Sequence, residues 1–480
     1  MGPNEARMVY DAGVSSMAAV ASGLLCLLFV KRALLPAKDV IAICCLPLLL
    51  LAFNALFGIY SSLKTAQARQ KALALLAATI CACGAAWAIA ADPAPIVLWA
   101  TISYPPIAVA RVLLSLPYGR HKKLTSIAIN QRGPVVVIGG AGYIGSHTVE
   151  LLLAEGHQVR VLDRLMYGPQ SLSEFLNHRR FELVEGDTTD ITKLTQALNG
   201  ASAVIHLAGL VGDPACAVDP TFTRHTNIVA TRMAKDVAQS LGIFRFVFAS
   251  SCSVYGTSDE AVTEEAELKP VSLYAQSKID SENELLFGGR DNFFVTVLRF
   301  ATVFGHSRRP RFDLVANLFT AQAITDGLIT VIGPHQWRPF IHVRDLARAV
   351  VTTLNADPYV VADQIFNVGD KRLNLTILQL AEIVKRVTSK HREVSISISE
   401  NSQDRRNYAV SFDKIQTLLG FQAATLMEEG IAEMADSLIA GRYRDYHEDM
   451  YSNVAVTAKE LSRFQDPNEL AHLYAPLKIG

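Results

Sequence analysis

The chain has 480 residues with 45 basic and 45 acidic side chains, so its formal net charge is zero. This length allows about three domains of ordinary size, and the charge balance gives no field that would favour a nucleic-acid partner. Half of the residues are hydrophobic and the mean hydropathy is +0.24, which is high for a soluble enzyme and indicates apolar surface facing lipid. The seven cysteines form no CxxC pair and no cluster with histidine, so neither a disulfide framework nor a bound metal is expected.

Four runs without charged residues come first in the chain, at residues 12–30, 40–63, 72–91 and 93–110. Each run approaches or exceeds the ~18 to 20 residues that a helix needs to cross the hydrocarbon of a bilayer. The sequence therefore predicts a region of about four transmembrane helices over residues 1–118. Prolines interrupt the fourth run, which makes it the weakest of the four spans.

Basic residues set the predicted orientation of these spans. They follow the fourth run at Arg111, Arg120, Lys122 and Lys123. Because basic residues accumulate on the cytoplasmic side of a membrane, the basic linker at residues 119–133 and the chain after it are predicted to be cytoplasmic. The expected location is thus the inner membrane, with lipid as a partner. Basic residues also occur between the first two runs, on a loop that four spans would place outside, so the number of spans stays open.

A glycine-rich loop follows the linker. A buried strand predicted at residues 134–138 leads into glycines at positions 139, 142 and 145 and then into an apolar helical run. Such a loop allows close backbone approach to a pyrophosphate, whose charge the helix N-terminus stabilises. The next predicted strand, residues 158–162, ends in Asp163, which can accept hydrogen bonds from a ribose diol. Asp163 favours NAD because it would repel a 2′-phosphate, although the neighbouring Arg164 leaves NADP open.

Further predicted strands at residues 181–184 and 203–207 alternate with helical segments. This alternation predicts an α/β fold with a Rossmann-type, doubly wound parallel sheet. Ligands of such a sheet bind beyond the carboxyl ends of its strands, where Asp187 and Gly209 fall. His206, within the fourth strand, is expected to be a packed residue rather than a catalyst.

The candidate catalytic residues follow the strand predicted at residues 244–249. A serine-rich segment containing Ser251 follows it, and Tyr274 and Lys278 then lie one helical turn apart. An ammonium on the same helix face can favour the ionised phenol. The phenolate could then take a proton from a substrate hydroxyl while a hydride leaves the same carbon for NAD, with Ser251 bonded to that oxygen.

In this order and spacing the motifs resemble the extended short-chain dehydrogenase/reductase family, particularly its nucleotide-sugar epimerases and dehydratases, over about residues 134–430. Residues 139–145 look like the family's cofactor loop, and residues 254–256 look like the VYG that follows its active-site Ser or Thr. The resemblance implies catalytic roles for Ser251, Tyr274 and Lys278. It also implies a set of cofactor-binding residues, namely Gly139, Gly142, Tyr143, Ile144, Gly145, Asp163, Asp187, Thr188, Leu207, Ala208, Gly209, Asn227, Tyr274 and Lys278.

The same resemblance assigns the substrate-binding portion, which together with the NAD-binding domain is predicted over residues 134–435. Arg338 is similar to the arginine that holds the diphosphate of a nucleotide sugar, and Arg406 is a second candidate; a surface or interdomain salt bridge is the alternative for both. Thr302 stands where many epimerases carry Asn, and Asn317 is expected to contact the sugar together with Ser251. Residues 436–480 are predicted to be a polar C-terminal extension without chemistry.

The type of reaction depends on the two residues after Ser251. The resemblance implies that dehydratases carry Asp-Glu at these positions and that decarboxylases carry Glu at the second. This chain has Cys252 and Ser253, neither of which is a competent acid near neutral pH. Cys252 is expected to be a small buried thiol rather than a nucleophile.

The leading hypothesis is therefore an NAD-dependent epimerase that oxidises a ring carbon, turns the keto sugar over and returns the hydride to its other face. A 4,6-dehydratase with a carboxylate from Glu264 or Asp213, a keto-sugar reductase, and a non-catalytic module that reports NAD to the membrane are the alternatives. The membrane region suggests assembly of a surface polysaccharide or another glycan. The partner would be a nucleotide-diphosphate sugar or a lipid-linked sugar, and a homodimer is allowed.

Overall fold

The computed structural model describes residues 133–286, 293–400, 404–443 and 445–463. The predicted transmembrane region, most of the basic linker and the end of the C-terminal extension lie outside these residues. Across the described ranges, no helix combines the length and the apolar character that a membrane span requires.

Short strands and helices alternate along the described chain. The strands are β1 (Val135–Ile138), β2 (Val159–Asp163), β3 (Phe181–Glu185), β4 (Ala203–His206), β5 (Arg245–Ser251), β6 (Phe294–Phe300), β7 (Thr302–Phe304), β8 (Leu328–Ile332), β9 (Trp337–His342), β10 (Gln364–Val368), β11 (Asn374–Thr376) and β12 (Ser395–Ser399). The α-helices are α1 (Gly145–Ala154), α2 (Ile191–Leu198), α3 (Asp213–Val218), α4 (Pro220–Arg224), α5 (Ala230–Ser240), α6 (Leu273–Leu286), α7 (Val315–Thr325), α8 (Val343–Asn355), α9 (Pro358–Val361), α10 (Ile377–Thr388), α11 (Asp413–Leu419), α12 (Met427–Ile439) and α13 (Asn453–Arg463).

Seven parallel strands form the central sheet in the order β3-β2-β1-β4-β5-β6-β10. The apolar β1, with every residue buried, is typical of a strand that is covered on both faces. Its alternate residues face opposite layers: Val135 and Val137 pack with α1 and α8, whereas Val136 and Ile138 pack with α2 and α5. The predicted doubly wound α/β fold is confirmed. Because strand order reverses between β1 and β4, the crevice for a ligand lies beyond the ends of these two strands.

Strand β5 continues two residues past its predicted end. Its pairing with β6 extends through Ser250 and Ser251, opposite Arg299 and Phe300. The long-range ladder, which the local sequence does not reveal, keeps the serine segment extended. Ser251 is therefore fixed at the carboxyl edge of the sheet.

A smaller portion packs beside the sheet. Its strands form a three-stranded sheet (β11-β9-β7) and a two-stranded sheet (β12-β8), and its helices α7, α10 and α12 share one hydrophobic core with them. The boundary predicted between residues 435 and 436 falls inside α12. The described chain then continues as a packed structure, in which Tyr443, Tyr446 and Tyr451 surround the ring of Phe312 at centroid distances of 5.2 to 5.9 Å.

Candidate active site

The glycine loop joins β1 to α1 at the point where strand order reverses. Gly139 has φ +87°, and an added Cβ there would lie 2.6 Å from the nitrogen of Ala208. At Gly145 an added Cβ would lie 2.2 Å from the carbonyl oxygen of Gly139. Only glycine permits these approaches, so the loop stays close to the end of β4 and presents its backbone and the first turn of α1 to a ligand. Gly142 and the partly buried Ile144 belong to the same turn.

Tyr143, in this loop, points into the protein. Its hydroxyl donates to the carbonyl of Gly305 at 2.5 Å and accepts from the amide nitrogen of Asn317 at 3.1 Å. Burial raises its pKa above the usual range. The side chain thus connects the glycine loop to the segment after β7. Only the backbone of Tyr143 is then available to contact a cofactor.

Asp163 ends β2 beside the loop. One carboxylate oxygen accepts from the nitrogen of Ala141 at 2.9 Å, and the other accepts from the nitrogen of Leu165 at 2.8 Å. Burial raises its pKa, and the two backbone hydrogen bonds act against that shift. A carboxylate has about four acceptor sites, so acceptor capacity remains for a ribose diol at this edge.

Asp187 and Thr188 follow β3 on the same edge. Asp187 accepts from the backbone nitrogen and the hydroxyl of Thr189 at 2.8 and 2.7 Å, and its second oxygen lies 3.3 Å from Arg164. Thr188 is buried. The structure therefore places Asp187 against Arg164, the residue that directly follows Asp163.

Asn227 holds the loop that follows β4 and carries Leu207, Ala208 and Gly209. Its side-chain oxygen accepts from the nitrogen of Leu210 at 2.7 Å, and its amide nitrogen donates to the carbonyl of Leu210 and to the hydroxyl of Ser277. Because the amide binds protein groups on both sides, Asn227 positions this loop against α6. His206, at the end of β4, is buried and its ring lies against Phe246 and Phe248.

The three predicted catalytic residues meet at the ends of β5 and α6. Ser251 lies beside Tyr274; its hydroxyl accepts from the nitrogen of Ser253 at 3.1 Å and donates to the Ser253 hydroxyl at 3.1 Å. Lys278 donates to the carbonyl of Ala249 at 2.8 Å. Backbone groups at the end of β5 thus fix the side chains of Ser251 and Lys278, and Tyr274 lies beside both.

The surroundings of Tyr274 act on its pKa in both directions. Burial raises the pKa of Tyr274 above its usual range, while the nearby hydroxyl of Ser251 and the charge of Arg311 lower it in part. The ammonium of Lys278 lies 6.0 Å from the centre of the Tyr274 ring, and burial lowers its own pKa to about 8. Lys278 thus lies near the Tyr274 ring, as its spacing along α6 suggests, and also binds the end of β5.

Arg311 is a site residue that the sequence analysis missed. Its guanidinium lies 3.9 Å from where a Cβ at Gly212 would be and is held by Asp313 at 2.9 Å. The basic run of three arginines at positions 308, 309 and 311, directly after β7, is the signal that could have identified it.

The two candidate diphosphate arginines lie together. Arg338, on β9, is 3.0 Å from Asp404, and the same carboxylate binds Arg406. Arg406 is also 3.3 Å from Asp213, which accepts from the hydroxyl of Ser272 at 2.7 Å. Burial raises the pKa of Asp404, but the two arginines outweigh it and hold that pKa below the usual range. This chain of charges runs to α3 and to the start of the helix that carries Tyr274.

Asn317 and Thr302, the two remaining predicted substrate residues, differ in their surroundings. Thr302 begins β7 and is partly exposed. Asn317 is buried; its side-chain oxygen accepts from the nitrogen of Gly305 at 2.9 Å, and its amide nitrogen donates to Tyr143 and to the carbonyl of Arg311. These bonds fix the loop that carries Arg311, so Asn317 acts on the site through that loop.

The comparisons with known proteins agree with this geometry. Residues 135–369 match the model of the NAD dependent epimerase/dehydratase family. A dTDP-glucose 4,6-dehydratase from Actinoplanes sp. is 30% identical over 62% of this chain and 95% of its own length. A UDP-glucuronate 4-epimerase from Thermodesulfobacterium geofontis is 27% identical over 62% of this chain and 94% of its own length.

A solved structure gives the same result for the fold. The dTDP-glucose 4,6-dehydratase of Streptomyces venezuelae with NAD bound superposes with a TM-score of 0.59 at 25% identity, over 64% of this chain and 98% of its own. The predicted resemblance is therefore confirmed at the level of the family, for the part of the chain that follows the linker. A relative with 30% identity across nearly its whole length shows that the chain belongs to the NAD dependent epimerase/dehydratase family, and its cofactor is NAD.

Proposed function

We propose that the chain is an NAD-dependent epimerase of a nucleotide-linked sugar, which forms a transient keto sugar in the manner of a 4-epimerase. The observation that carries the proposal is the proximity of Ser251 and Lys278 to Tyr274 at the sheet edge, together with the two positions after Ser251 that carry no acid. Bound NAD supplies the acceptor and later the donor of the hydride.

Tyr274 is the base of the proposed reaction. Its phenolate takes the proton of a sugar hydroxyl as the hydride leaves the same carbon, and Ser251 donates to the same oxygen. Burial raises the pKa of Tyr274 and the charge of Arg311 opposes this only in part, whereas the pKa of about 8 leaves Lys278, beside the ring, mostly protonated at neutral pH. In the second half-reaction Tyr274 returns the proton after the keto sugar has turned over.

The neutral residues after Ser251 favour epimerisation over dehydration. Cys252 is buried, its thiol donates to the carbonyl of Arg299 at 3.2 Å, and burial raises its pKa. Ser253 is also buried and accepts from Ser251 at 3.1 Å. Elimination of water needs an acid for the leaving hydroxyl, and neither side chain can serve as one near neutral pH.

The two carboxylates that a dehydratase mechanism would need are held by other groups. Glu264 accepts from the backbone nitrogen of Asn367 at 2.8 Å. Asp213 faces Arg406 and accepts from Ser272. Both carboxylates are thus engaged by groups of the protein rather than placed beside Ser251, which again supports the epimerase.

The diphosphate of the substrate is proposed to bind at Arg338 and Arg406. A pair of guanidinium groups can bind phosphate oxygens bidentately, and both groups here are pre-positioned by Asp404. This recognition suits a nucleotide-diphosphate sugar and would suit a lipid-diphosphate sugar equally.

The predicted spans in residues 1–118 support a proposal on location. We infer that the catalytic part lies on the cytoplasmic side of the inner membrane, next to lipid, and serves the synthesis of a surface polysaccharide or another glycan. This part of the proposal rests on the apolar runs and the basic linker alone.

The test is to incubate the purified full chain with UDP-, GDP- and dTDP-sugars and to follow the products by NMR. The proposal expects an epimer of one sugar, without added NADH. A 4-keto-6-deoxy sugar would show a dehydratase instead, and net consumption of NADH would show a reductase.

A further inference from the structure

Helix α13 begins beside the loops that surround Tyr274. Its first residue, Asn453, donates to the carbonyl of Val211 at 3.1 Å and accepts from Arg309 at 2.6 Å. Val211 follows β4, and Arg309 lies in the arginine-rich loop after β7. The C-terminal segment is therefore attached to two of the loops that form the crevice.

One face of α13 packs toward the catalytic tyrosine. Val454 and Leu461 contact the hydrophobic cluster of α3 and α4, and Tyr274 contacts the same cluster. The 11 residues of the helix span about 16 Å at 1.5 Å per residue. The helix is thus long enough to run from the catalytic end of the crevice toward its adenosine end.

Near the other end of α13, Glu460 meets Arg164. Glu460 is only 8% exposed, and its carboxylate lies 3.4 Å from one terminal nitrogen of the Arg164 guanidinium. The other terminal nitrogen of Arg164 lies 3.3 Å from Asp187. Arg164 directly follows Asp163, the predicted ligand of the ribose diol, so both ends of this guanidinium face carboxylates beside the ribose site.

NADP differs from NAD by a phosphate on the adenosine ribose. An arginine at this position can accommodate that phosphate through the bidentate geometry of its guanidinium. Arg164 would have to turn away from Glu460 to do so, and it would give up its ion pair with this buried carboxylate.

We propose that Glu460 is a cofactor-specificity residue: by holding Arg164, it keeps the guanidinium from a 2′-phosphate and makes the enzyme select NAD over NADP. The inference rests on the proposed function, because it requires a dinucleotide whose ribose lies at Asp163. Glu460 acts through Arg164 and is a positioning residue. Cofactor selection then depends partly on the C-terminal segment, outside the nucleotide-binding half.

The test compares dissociation constants for NAD and NADP in the full-length chain and in Glu460→Gln. The variant should bind NADP about tenfold more tightly relative to NAD, which corresponds to about 1.4 kcal/mol. The double variant Arg164→Ala/Glu460→Gln should lose this gain, because the gain requires the guanidinium. Glu428→Gln, which removes an exposed partner of Arg386, is the matched control and should leave the ratio unchanged.

An unchanged ratio of NADP to NAD affinity in Glu460→Gln would overturn the inference. Equally weakened binding of both cofactors would also overturn it, because that result indicates a purely structural role. If the unmodified chain binds NAD but the ratio of NADP to NAD affinity does not change in Glu460→Gln, the proposed function is retained and the specificity role of Glu460 is rejected. If the unmodified chain binds neither dinucleotide, the proposed function itself is contradicted.

Discussion

At the scale of single residues, Lys278 has one contact that its spacing predicts and one that it does not. Its ammonium lies 6.0 Å from the centre of the Tyr274 ring, as the spacing suggests, and it also donates to the carbonyl of Ala249 at the end of β5. The serine, tyrosine and lysine could be identified from the sequence because the motif is local and ordered. Arg311 could not, because its contact with the site depends on a loop that Asn317 and Tyr143 fold back against the sheet.

Tyr274→Phe and Lys278→Met should each lower turnover by at least about a hundredfold, since general acid–base catalysis contributes about 10²- to 10⁴-fold. Both variants should remain folded and bind NAD, because neither change touches the glycine loop. Turnover on the preferred sugar and NAD titration measure the two effects. Tyr446→Phe, which removes a hydrogen bond to Asp326, is the control. Full activity in Tyr274→Phe would exclude the phenol as the base.

His206 should make the protein sensitive to acid. Burial, with a smaller effect of Lys278, lowers its pKa from 6.5 to about 3, so the unfolded chain takes up this proton first as the pH falls. The contribution is fully present above pH 6.5 and is lost as the pH falls toward 3. Between pH 6.5 and 5 it should lower the free energy of unfolding by about 2 kcal/mol.

The variant His206→Gln has no titrating side chain at position 206, so its free energy of unfolding should fall less between pH 6.5 and 5 than that of the unmodified protein. Chemical denaturation at pH 6.5 and pH 5, followed by circular dichroism, measures the difference. Only the change with pH is compared, which removes any general destabilisation by the substitution. Parallel changes in the two proteins would mean that His206 is protonated as easily in the folded state as in the unfolded chain.

At the scale of elements, the position of the glycine loop between β1 and α1 could be predicted because the pattern that identifies it is local. The C-terminal helix α13 was not predicted, because the residues before it alternate tyrosines with charges and show no periodicity. Burial of those tyrosines is decided by Phe312, which lies far away along the chain. The pairing of Arg406 with Asp213 is equally invisible in the sequence, since a fold must first bring the two residues together.

Gly145→Ala should displace the glycine loop and weaken NAD binding. The residue starts α1, and its new methyl group would lie 2.2 Å from the carbonyl oxygen of Gly139 and 2.7 Å from the α-carbon of Gly140. Both contacts are with backbone, so the loop must move, at a cost of about 1 to 3 kcal/mol. NAD affinity, measured by calorimetric titration, should fall by at least about tenfold.

The matched control is Gly142→Ala in the same loop, where the new methyl group would meet only the Gly139 oxygen, at 3.2 Å. It should reduce NAD affinity much less than Gly145→Ala does. Equal affinities in the two variants would contradict the assignment of close β1–α1 packing to Gly145.

At the scale of the whole molecule, the doubly wound sheet could be predicted because β1 to β4 are short, largely apolar strands and helices follow β1 and β3. The extent of the substrate portion could not, since α12 and the packed segment after it cross the predicted boundary at residue 436. The predicted membrane spans lie outside the described residues and remain a prediction from the apolar runs. The catalytic proposal depends on the Rossmann sheet edge and is independent of the number of spans.

The most direct test of the central claim is to run the reaction in deuterium oxide and measure deuterium at the carbon whose configuration changes. In the proposed mechanism, the hydride leaves that carbon for bound NAD and returns to it, while Tyr274 exchanges only the hydroxyl proton. The product should therefore carry no deuterium on that carbon. Deuterium there would show that the hydrogen leaves as a proton, and would contradict hydride transfer to NAD as the basis of epimerisation.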